Sequence, residues 1–207
     1  MILKTCVNIL FTDGFKPPLA SKYMENSKVS LCDLTTVWRD ENAKSIGYFS
    51  RKPLRAVDKG LIGEIKNMAL DTGENVRFSL HGGPEDQFHE MIIFQHGNLY
   101  YPPKKHLLKD KSFHMLDGEM GVFVFTDNGE VMDAAKLSLS NRPIYRVGRD
   151  LFHTDIPVSE YVIHHESTLG PFLGEKDRIF APWSTKPSNK EEFLAFREKM
   201  ITQLEEF

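Results

Sequence analysis

Short runs of β-branched and aromatic residues recur about every 8–12 residues between positions 76 and 167 of this chain. Turn residues separate the runs, and Asp127-Asn128-Gly129 predicts a tight hairpin because Asn-Gly readily adopts the positive φ angles of a type I′ turn. Many short antiparallel strands joined by tight turns indicate a mostly β domain, either a sandwich or a barrel. The predicted strands are Met91–Gln95, Leu99–Tyr101, Ser112–Leu116, Gly121–Phe125, Val131–Leu139, Ile144–Val147 and Tyr161–His165.

Helical patterns flank this β-rich zone. Apolar residues at helical spacing predict one helix over about 33–44 and a second over about 58–70. A Pro-containing linker precedes a C-terminal helix, which Ser188 or Asn189 can cap. Near the start, Val7–Phe11 is predicted to be an isolated edge strand or a strand exchanged between subunits. The apolar stripe of the C-terminal helix comprises Phe193, Phe196, Met200, Leu204 and Phe207.

The bulk composition narrows the class of protein. Apolar residues make up 41% of the 207 residues, including fifteen Phe, which is enough for a sizeable core. The net charge is −3, and acidic and basic residues are interspersed, so the sequence shows no basic excess of the kind that indicates nucleic-acid binding. Two cysteines without a CxxC spacing, no signal peptide and no run of membrane-spanning length predict a cytoplasmic protein with no membrane span.

Residues 100–118 resemble the first cupin motif, in which two His flank one residue, a Glu follows and a Gly comes later. His106 takes the second His position and Gly118 has the expected spacing, whereas Lys104 and Lys111 stand where the first His and the Glu are expected. Residues 104 and 106 share one strand face, as do 111, 113 and 115, so both faces can turn into a barrel. The segment 148–157 resembles the second motif, with His153 as its histidine.

Four segments together resemble the WbuC family, cupin-fold proteins found with bacterial O-antigen and other surface-polysaccharide genes. The resemblance covers about residues 60–185 and implies a double-stranded β-helix, that is, a jelly-roll-like cupin barrel, with N-terminal helices and a C-terminal helix. It also implies a homodimer. We divide the chain into an N-terminal extension with a dimerising role (1–57), the barrel with its leading helix (58–185) and the C-terminal helix (186–207). The four segments are Arg77–His81, His89–Ile92, Pro102–His106 and His165–Phe172.

The family pattern implies a His-His-Glu-His site for a divalent metal such as Zn, Fe, Mn or Ni. A protonated Lys has no lone pair to donate, so Lys104 and Lys111 alter that site. One interpretation keeps a metal on His106 and His153, completed by water, by Glu166 or by another side chain. A second lets the two lysines replace the cation and bind an anion. A third shifts the register by one residue, so that both lysines face solvent.

The candidate residues divide into two groups. Three are assigned catalytic roles, and four are assigned to ligand binding. Three functions remain open: an enzyme acting on a sugar or nucleotide-sugar in surface-polysaccharide metabolism, a non-catalytic binder of an anionic small molecule, and a scaffold with a vestigial pocket. The catalytic candidates are His106, His153 and Lys111, and the ligand-binding candidates are Arg77, His81, Lys104 and Glu166.

Overall fold

The computed structural model describes residues 27–53, 55–185 and 189–206, so Val7–Phe11 and Phe207 lie outside the described residues. Two α-helices lie wholly within these ranges, α1 (Lys59–Thr72) and α2 (Lys190–Gln203). The twelve strands are β1 (Val37–Arg39), β2 (Ile46–Ser50), β3 (Val76–Ser79), β4 (Phe88–His96), β5 (Lys104–His106), β6 (Lys111–Asp117), β7 (Glu119–Phe125), β8 (Val131–Ser138), β9 (Ile144–Val147), β10 (Phe152–Pro157), β11 (Tyr161–Leu169) and β12 (Arg178–Phe180).

The strands form two sheets, ordered β1-β2-β3-β4-β11-β6-β9 and β12-β5-β10-β7-β8. The eight strands β4 to β11 are divided between the sheets as β4-β11-β6-β9 and β5-β10-β7-β8. This order is the jelly-roll arrangement of two Greek keys, which cupins share with other double-sheet proteins. The prediction of a mostly β cupin fold is therefore confirmed, with two open sheets rather than a closed barrel.

Each sheet carries a helix on its outer face. Helix α1 buries Leu61 and Ile65 in a cluster with Phe78 and Phe94 of the seven-stranded sheet. Residues of α2 and the turn after it pack against the outer face of the five-stranded sheet, in a cluster that includes Phe123, Phe152, Met200 and Leu204. Between the sheets, one end is filled by a third apolar cluster: Phe113, Met115, Met120, Val122, Val124, Ala135, Leu137, Val147 and Val162. The other end is left for polar side chains.

Helix α1 follows the predicted pattern. The side chain of Asp58 accepts a hydrogen bond from the backbone N–H of Leu61 at 2.9 Å and caps the first turn. Gly73 ends the helix with φ 69°, the left-handed conformation that glycine adopts readily. The helix predicted over about 58–70 is thus confirmed. No helix in the described part of the chain is long and apolar enough to cross a membrane.

Two predicted elements are wrong. The region 33–44 contains turns and the strand β1, not a helix, because the Asp33 carboxylate accepts from the Thr35 N–H in a local turn. Trp38 of β1 then stacks on Phe49 of β2 at 4.5 Å between ring centroids. Residues 99–101 form a loop instead of a strand, since Pro102 and Pro103 follow immediately and cannot donate to a sheet.

Two glycines with positive φ allow tight connections, one within the five-stranded sheet and one from the seven-stranded sheet to the five-stranded sheet. The predicted turn at residues 127–129 joins β7 to β8, and Gly129 has φ 88°. Asn128 does not have a positive φ, so the hairpin is confirmed but the predicted type I′ turn is wrong. Gly118 joins β6 to β7 with φ 81°, and a Cβ there would collide with the carbonyl oxygen of Tyr161. The first cupin motif therefore requires glycine at this position for a steric reason, because only a residue without a Cβ lets the β6–β7 turn pack against β11.

Candidate functional site

A cavity of about 610 Å³ opens at the end of the jelly roll that the apolar core does not fill. Strands of both sheets and the loops near residues 40–45 and 172–175 contribute to its wall. Six of the seven predicted site residues line it, all except His153. Its polar lining includes Arg77, His81, His89, Gln95, Lys104, His106, Lys109, Lys111, Asp155, Glu166 and Arg178.

Lys111 and Glu166 form an ion pair on the inner face of neighbouring strands. Lys111 lies opposite Thr168 in the β6–β11 register, so Glu166 is its diagonal neighbour. The ammonium group lies 3.1 and 3.2 Å from the two carboxylate oxygens, and the side chains are only 8% and 13% exposed. Burial acts to raise the pKa of Glu166, but the charges of Lys111 and His164 outweigh it and lower that pKa. The carboxylate is therefore ionised.

His106 and His153 lie side by side, with ring centroids 6.2 Å apart. Nδ1 of His106 lies 3.1 Å from the buried Asp177 carboxylate, and Nδ1 of His153 lies 2.9 Å from the carbonyl oxygen of Leu151. Burial first, and then the Lys111 charge, lower the pKa of His106 to about 4 and that of His153 to about 3. Both rings are neutral near pH 7. His153 is buried behind the cavity wall, and its Nε2 has no hydrogen-bond partner among the described residues.

Lys104 faces the same cavity from β5, where it pairs in register with His153 of β10. Its side chain is half-buried, and burial followed by the charge of Lys111 lowers its pKa. The next residue, Lys105, points to the other face and makes an ion pair with Asp150 at 2.8 Å. The interpretation that Lys104 and Lys111 face solvent is therefore wrong, because β5 and β6 direct both side chains into the cavity between the two sheets.

Arg77 and His81 also line the cavity, but their polar groups are largely engaged. The guanidinium group of Arg77 lies 2.8 Å from the Asp40 carboxylate. His81 contacts the backbone of Glu90 through Nδ1 and stacks on His89 with ring centroids 4.1 Å apart. Burial, followed by the charge of His89, lowers the pKa of His81 to about 4.

Four cavity or supporting residues were not anticipated from the sequence. Gln95 of β4 donates to the Asp155 carboxylate of β10 at 2.6 Å. Asp155 follows His153 by two residues, so the alternation of β10 was a signal that could have identified it. Asp177 accepts from the Leu108 N–H at 2.8 Å and holds His106, and Arg178 lines the cavity from β12. No local sequence pattern identified Asp177 or Arg178, because the strand β12 has only three residues and is too short to show alternation.

The donor set at the cupin motif positions does not fit a divalent cation. Among the described residues, no three His, Cys, Asp or Glu side chains are placed to hold one metal ion. The ion-paired Lys111 ammonium acts electrostatically on both His106 and His153, and it would repel a dication held between them. The metal site on these two histidines remains a prediction that experiment can test.

Residues 74–137, less than half of the chain, match the family model of a domain of unknown function (DUF6016). No curated protein matches the sequence. The assignment to the WbuC family therefore remains a prediction from the motifs.

Solved structures with similar architecture cover about half of this chain. The capsular polysaccharide assembling protein CapF from Staphylococcus aureus matches 52% of this chain and 31% of its own, at 11% identity and TM-score 0.44. The L-ribose isomerase of Cellulomonas parahominis matches 53% and 70%, at 12% identity and TM-score 0.41. Procruciferin, an 11S globulin from Brassica napus, matches 41% and 21%, at 16% identity and TM-score 0.36. This chain thus spans about a third of CapF and about a fifth of the globulin, and the fold assignment rests on its own strand order.

Proposed function

We propose that the cavity binds a small anionic metabolite, such as a sugar phosphate, a nucleotide-sugar or a carboxylate. The cavity wall has more basic than acidic side chains, although the whole chain has a net charge of −3. A concave site with excess positive charge attracts anions from solution. The basic side chains are Lys44, Arg77, Lys104, Lys109, Lys111 and Arg178, and the acidic ones are Asp40, Asp155, Glu166 and Glu175.

The observation that carries this proposal is the absence of acidic partners for Lys104 and Arg178 within the ranges that the structure describes. Lys111 is matched by Glu166, and the other buried basic groups of the wall have acidic partners as well. Arg178 lies opposite His106 in the β5–β12 register, so it is the diagonal neighbour of Lys104. Its buried Nε atom also lacks a hydrogen-bond partner. A phosphate or carboxylate would satisfy both groups.

An unpaired amide oxygen in the same cavity wall supports a sugar-like ligand. Gln95 is buried, donates to Asp155, and leaves its own Oε1 without a hydrogen-bond donor in the described part of the chain. Buried polar atoms usually have partners, so an unmatched acceptor in a cavity wall suits a ligand hydroxyl group. The ligand would then combine an anionic group near Arg178 with hydroxyl groups near Gln95.

Thermal unfolding with candidate ligands tests this proposal. Ribose 5-phosphate, UDP-glucose and citrate are expected to stabilise the wild type when they bind, and a ligand at 100 times its Kd raises Tm by about 5–10 °C. Arg178→Gln should remove most of that shift, because it deletes the unpaired cation. Lys105→Gln is the matched control, since Lys105 lies on the outer face of β5 and should leave the shift unchanged. No stabilisation by any of the three compounds would contradict the proposal.

Metal content tests the interpretation of the two lysines. We expect the wild type, purified without chelators, to contain well under one Zn, Fe, Mn or Ni per chain. Lys104→His/Lys111→Glu should gain zinc binding, because it restores the His-His-Glu-His donor set and removes two positive charges. The measurement is elemental analysis after dialysis against zinc, with His106→Ala/His153→Ala as the control. Stoichiometric metal in the wild type that disappears in this control would overturn the anion pocket.

Catalysis remains a separate part of the proposal. Neutral His106 lines the cavity and would exchange protons with a bound sugar, whereas His153, which is buried behind the wall, would act only through its neighbours. A non-catalytic binder would use the positive charges of the wall only for affinity. A role in surface-polysaccharide metabolism is supported by the motif resemblance, and a cytoplasmic location is supported by the two cysteines without CxxC spacing. Turnover of UDP-glucose or ribose 5-phosphate by the wild type, lost in His106→Gln, would support an enzyme.

The homodimer is also a proposal. In the described part of the N-terminal extension, β1 and β2 enlarge the seven-stranded sheet through the parallel β2–β3 pairing. Light scattering after gel filtration measures the mass of the full chain. A mass of about twice 23.8 kDa is expected, and 23.8 kDa alone would contradict the dimer.

A further inference from the structure

Lys104 is unusual among the lysines that line the cavity. Lys111 is held by Glu166, and Lys109 donates to the carbonyl oxygen of Pro171 and lies 4.0 Å from Asp177. Lys44 is exposed at the rim. Lys104 alone, of those inside the wall, has no hydrogen bond or ion pair with any residue that the structure describes. Its amine therefore faces the cavity unengaged.

The charges around Lys104 favour a reactive amine. Lys111 and Arg178 act on it as like charges, while Asp155 and Glu166 act in the opposite sense. Burial is the largest influence, and the net result is a lowered pKa. A lysine that is desolvated and adjacent to a second cationic group is a recognised form of activated nucleophile.

We propose that Lys104 forms a Schiff base with the carbonyl group of an anionic substrate, either a 2-oxo acid or an open-chain sugar phosphate. This inference rests on the proposed anion pocket, because the anionic group would be held at Arg178. The diagonal neighbours Lys104 and Arg178 have Cα atoms about 7–8 Å apart in an antiparallel pair. That spacing suits a carbonyl carbon at one side chain and a charged group at the other.

Side chains that line the cavity, together with solvent, supply the proton transfers that this reaction requires. The Lys104 ammonium first gives one proton to solvent, which its lowered pKa favours. The lone pair of Nζ then forms the C–N bond, the carbonyl π electrons move to oxygen, and a proton passes from nitrogen to that oxygen to give a carbinolamine. The nitrogen lone pair then forms C=N while the C–O bond breaks. The hydroxyl leaves as water with a proton from the Lys111 ammonium, which regains a proton from solvent. The products are an iminium ion on Lys104 and one water molecule.

Reductive trapping tests this inference. The full chain is incubated with pyruvate or ribose 5-phosphate, reduced with sodium borohydride, and mapped by peptide mass spectrometry. We expect one secondary-amine adduct, located at Lys104 in the wild type. Lys104→Arg, which keeps the charge but removes the primary amine, should lose it. Lys105→Arg should keep it, because Lys105 is engaged with Asp150 outside the cavity.

Lactate and ribitol 5-phosphate, which lack the carbonyl group, separate the two proposals in the thermal-unfolding assay. Stabilisation by these compounds without an adduct at Lys104 would overturn the Schiff base and leave the anion pocket intact. Labelling spread evenly over many lysines of the wild type would also overturn it. If the non-carbonyl compounds do not stabilise the protein and no adduct forms, the anion pocket fails together with the inference. Mapping of the wild type makes the result independent of whether the variants fold.

Discussion

Lys111→Met is expected to lower the free energy of unfolding by about 3–5 kcal/mol, the usual cost of leaving one member of a buried ion pair without its partner. The variant removes the charge that most strongly lowers the pKa of Glu166, so this nearly enclosed carboxyl group either stays charged without its partner or takes up a proton at a cost in free energy. Lys111→Met/Glu166→Leu should recover most of the loss, since apolar side chains of similar size replace the pair. Urea unfolding of both variants at pH 7 measures this difference.

Lys105→Met is the matched control for this prediction. It breaks the ion pair with Asp150, whose side chain is 63% exposed, and we expect a cost of under about 1 kcal/mol. If Lys111→Met costs no more than Lys105→Met, the Lys111–Glu166 pair is well hydrated. The conclusion that Lys111 and Glu166 form a buried ion pair would then be wrong.

Acid should destabilise the protein through its buried neutral histidines. An unfolded histidine has a pKa near 6.5, whereas folding lowers the pKa to about 4 for His106 and about 3 for His153. Below pH 6.5 the unfolded state binds protons that the folded state does not bind. The contribution of these neutral histidines to the free energy of unfolding is therefore fully present above pH 6.5 and is lost as the pH falls toward 3–4. Between pH 6.5 and 5 the loss is about 2 kcal/mol per histidine.

His153→Gln isolates one of these contributions. We expect the free energy of unfolding of this variant to fall by about 2 kcal/mol less than that of the wild type between pH 6.5 and 5. Between pH 7 and 8 the difference between the two proteins should stay constant, which serves as the internal control. Equal pH dependence in both proteins would show that His153 does not enter the folded state as a neutral buried ring.

The sequence alone determined the features that depend on local patterning. Strand alternation placed Lys104 on the same strand face as His106, and the Asp127-Asn128-Gly129 turn predicted the β7–β8 hairpin. Helical spacing predicted α1. These signals are local because side-chain direction and turn geometry depend on neighbouring residues. The same local reasoning failed at 33–44, where Asp33 and Thr35 form a turn and β1 joins a sheet instead.

Only the tertiary structure decided how the site is completed. Asp177 reaches His106 across 71 residues of chain, and Gln95 reaches Asp155 across 60. Arg178 enters the cavity because the short strand β12 pairs with β5. The jelly roll brings these distant segments together, and no periodicity in one segment encodes a partner in another. Local sequence thus determined which residues share a strand face. Strand pairing decided which faces turn inward, which charges meet between the sheets and which basic groups remain without an acidic partner.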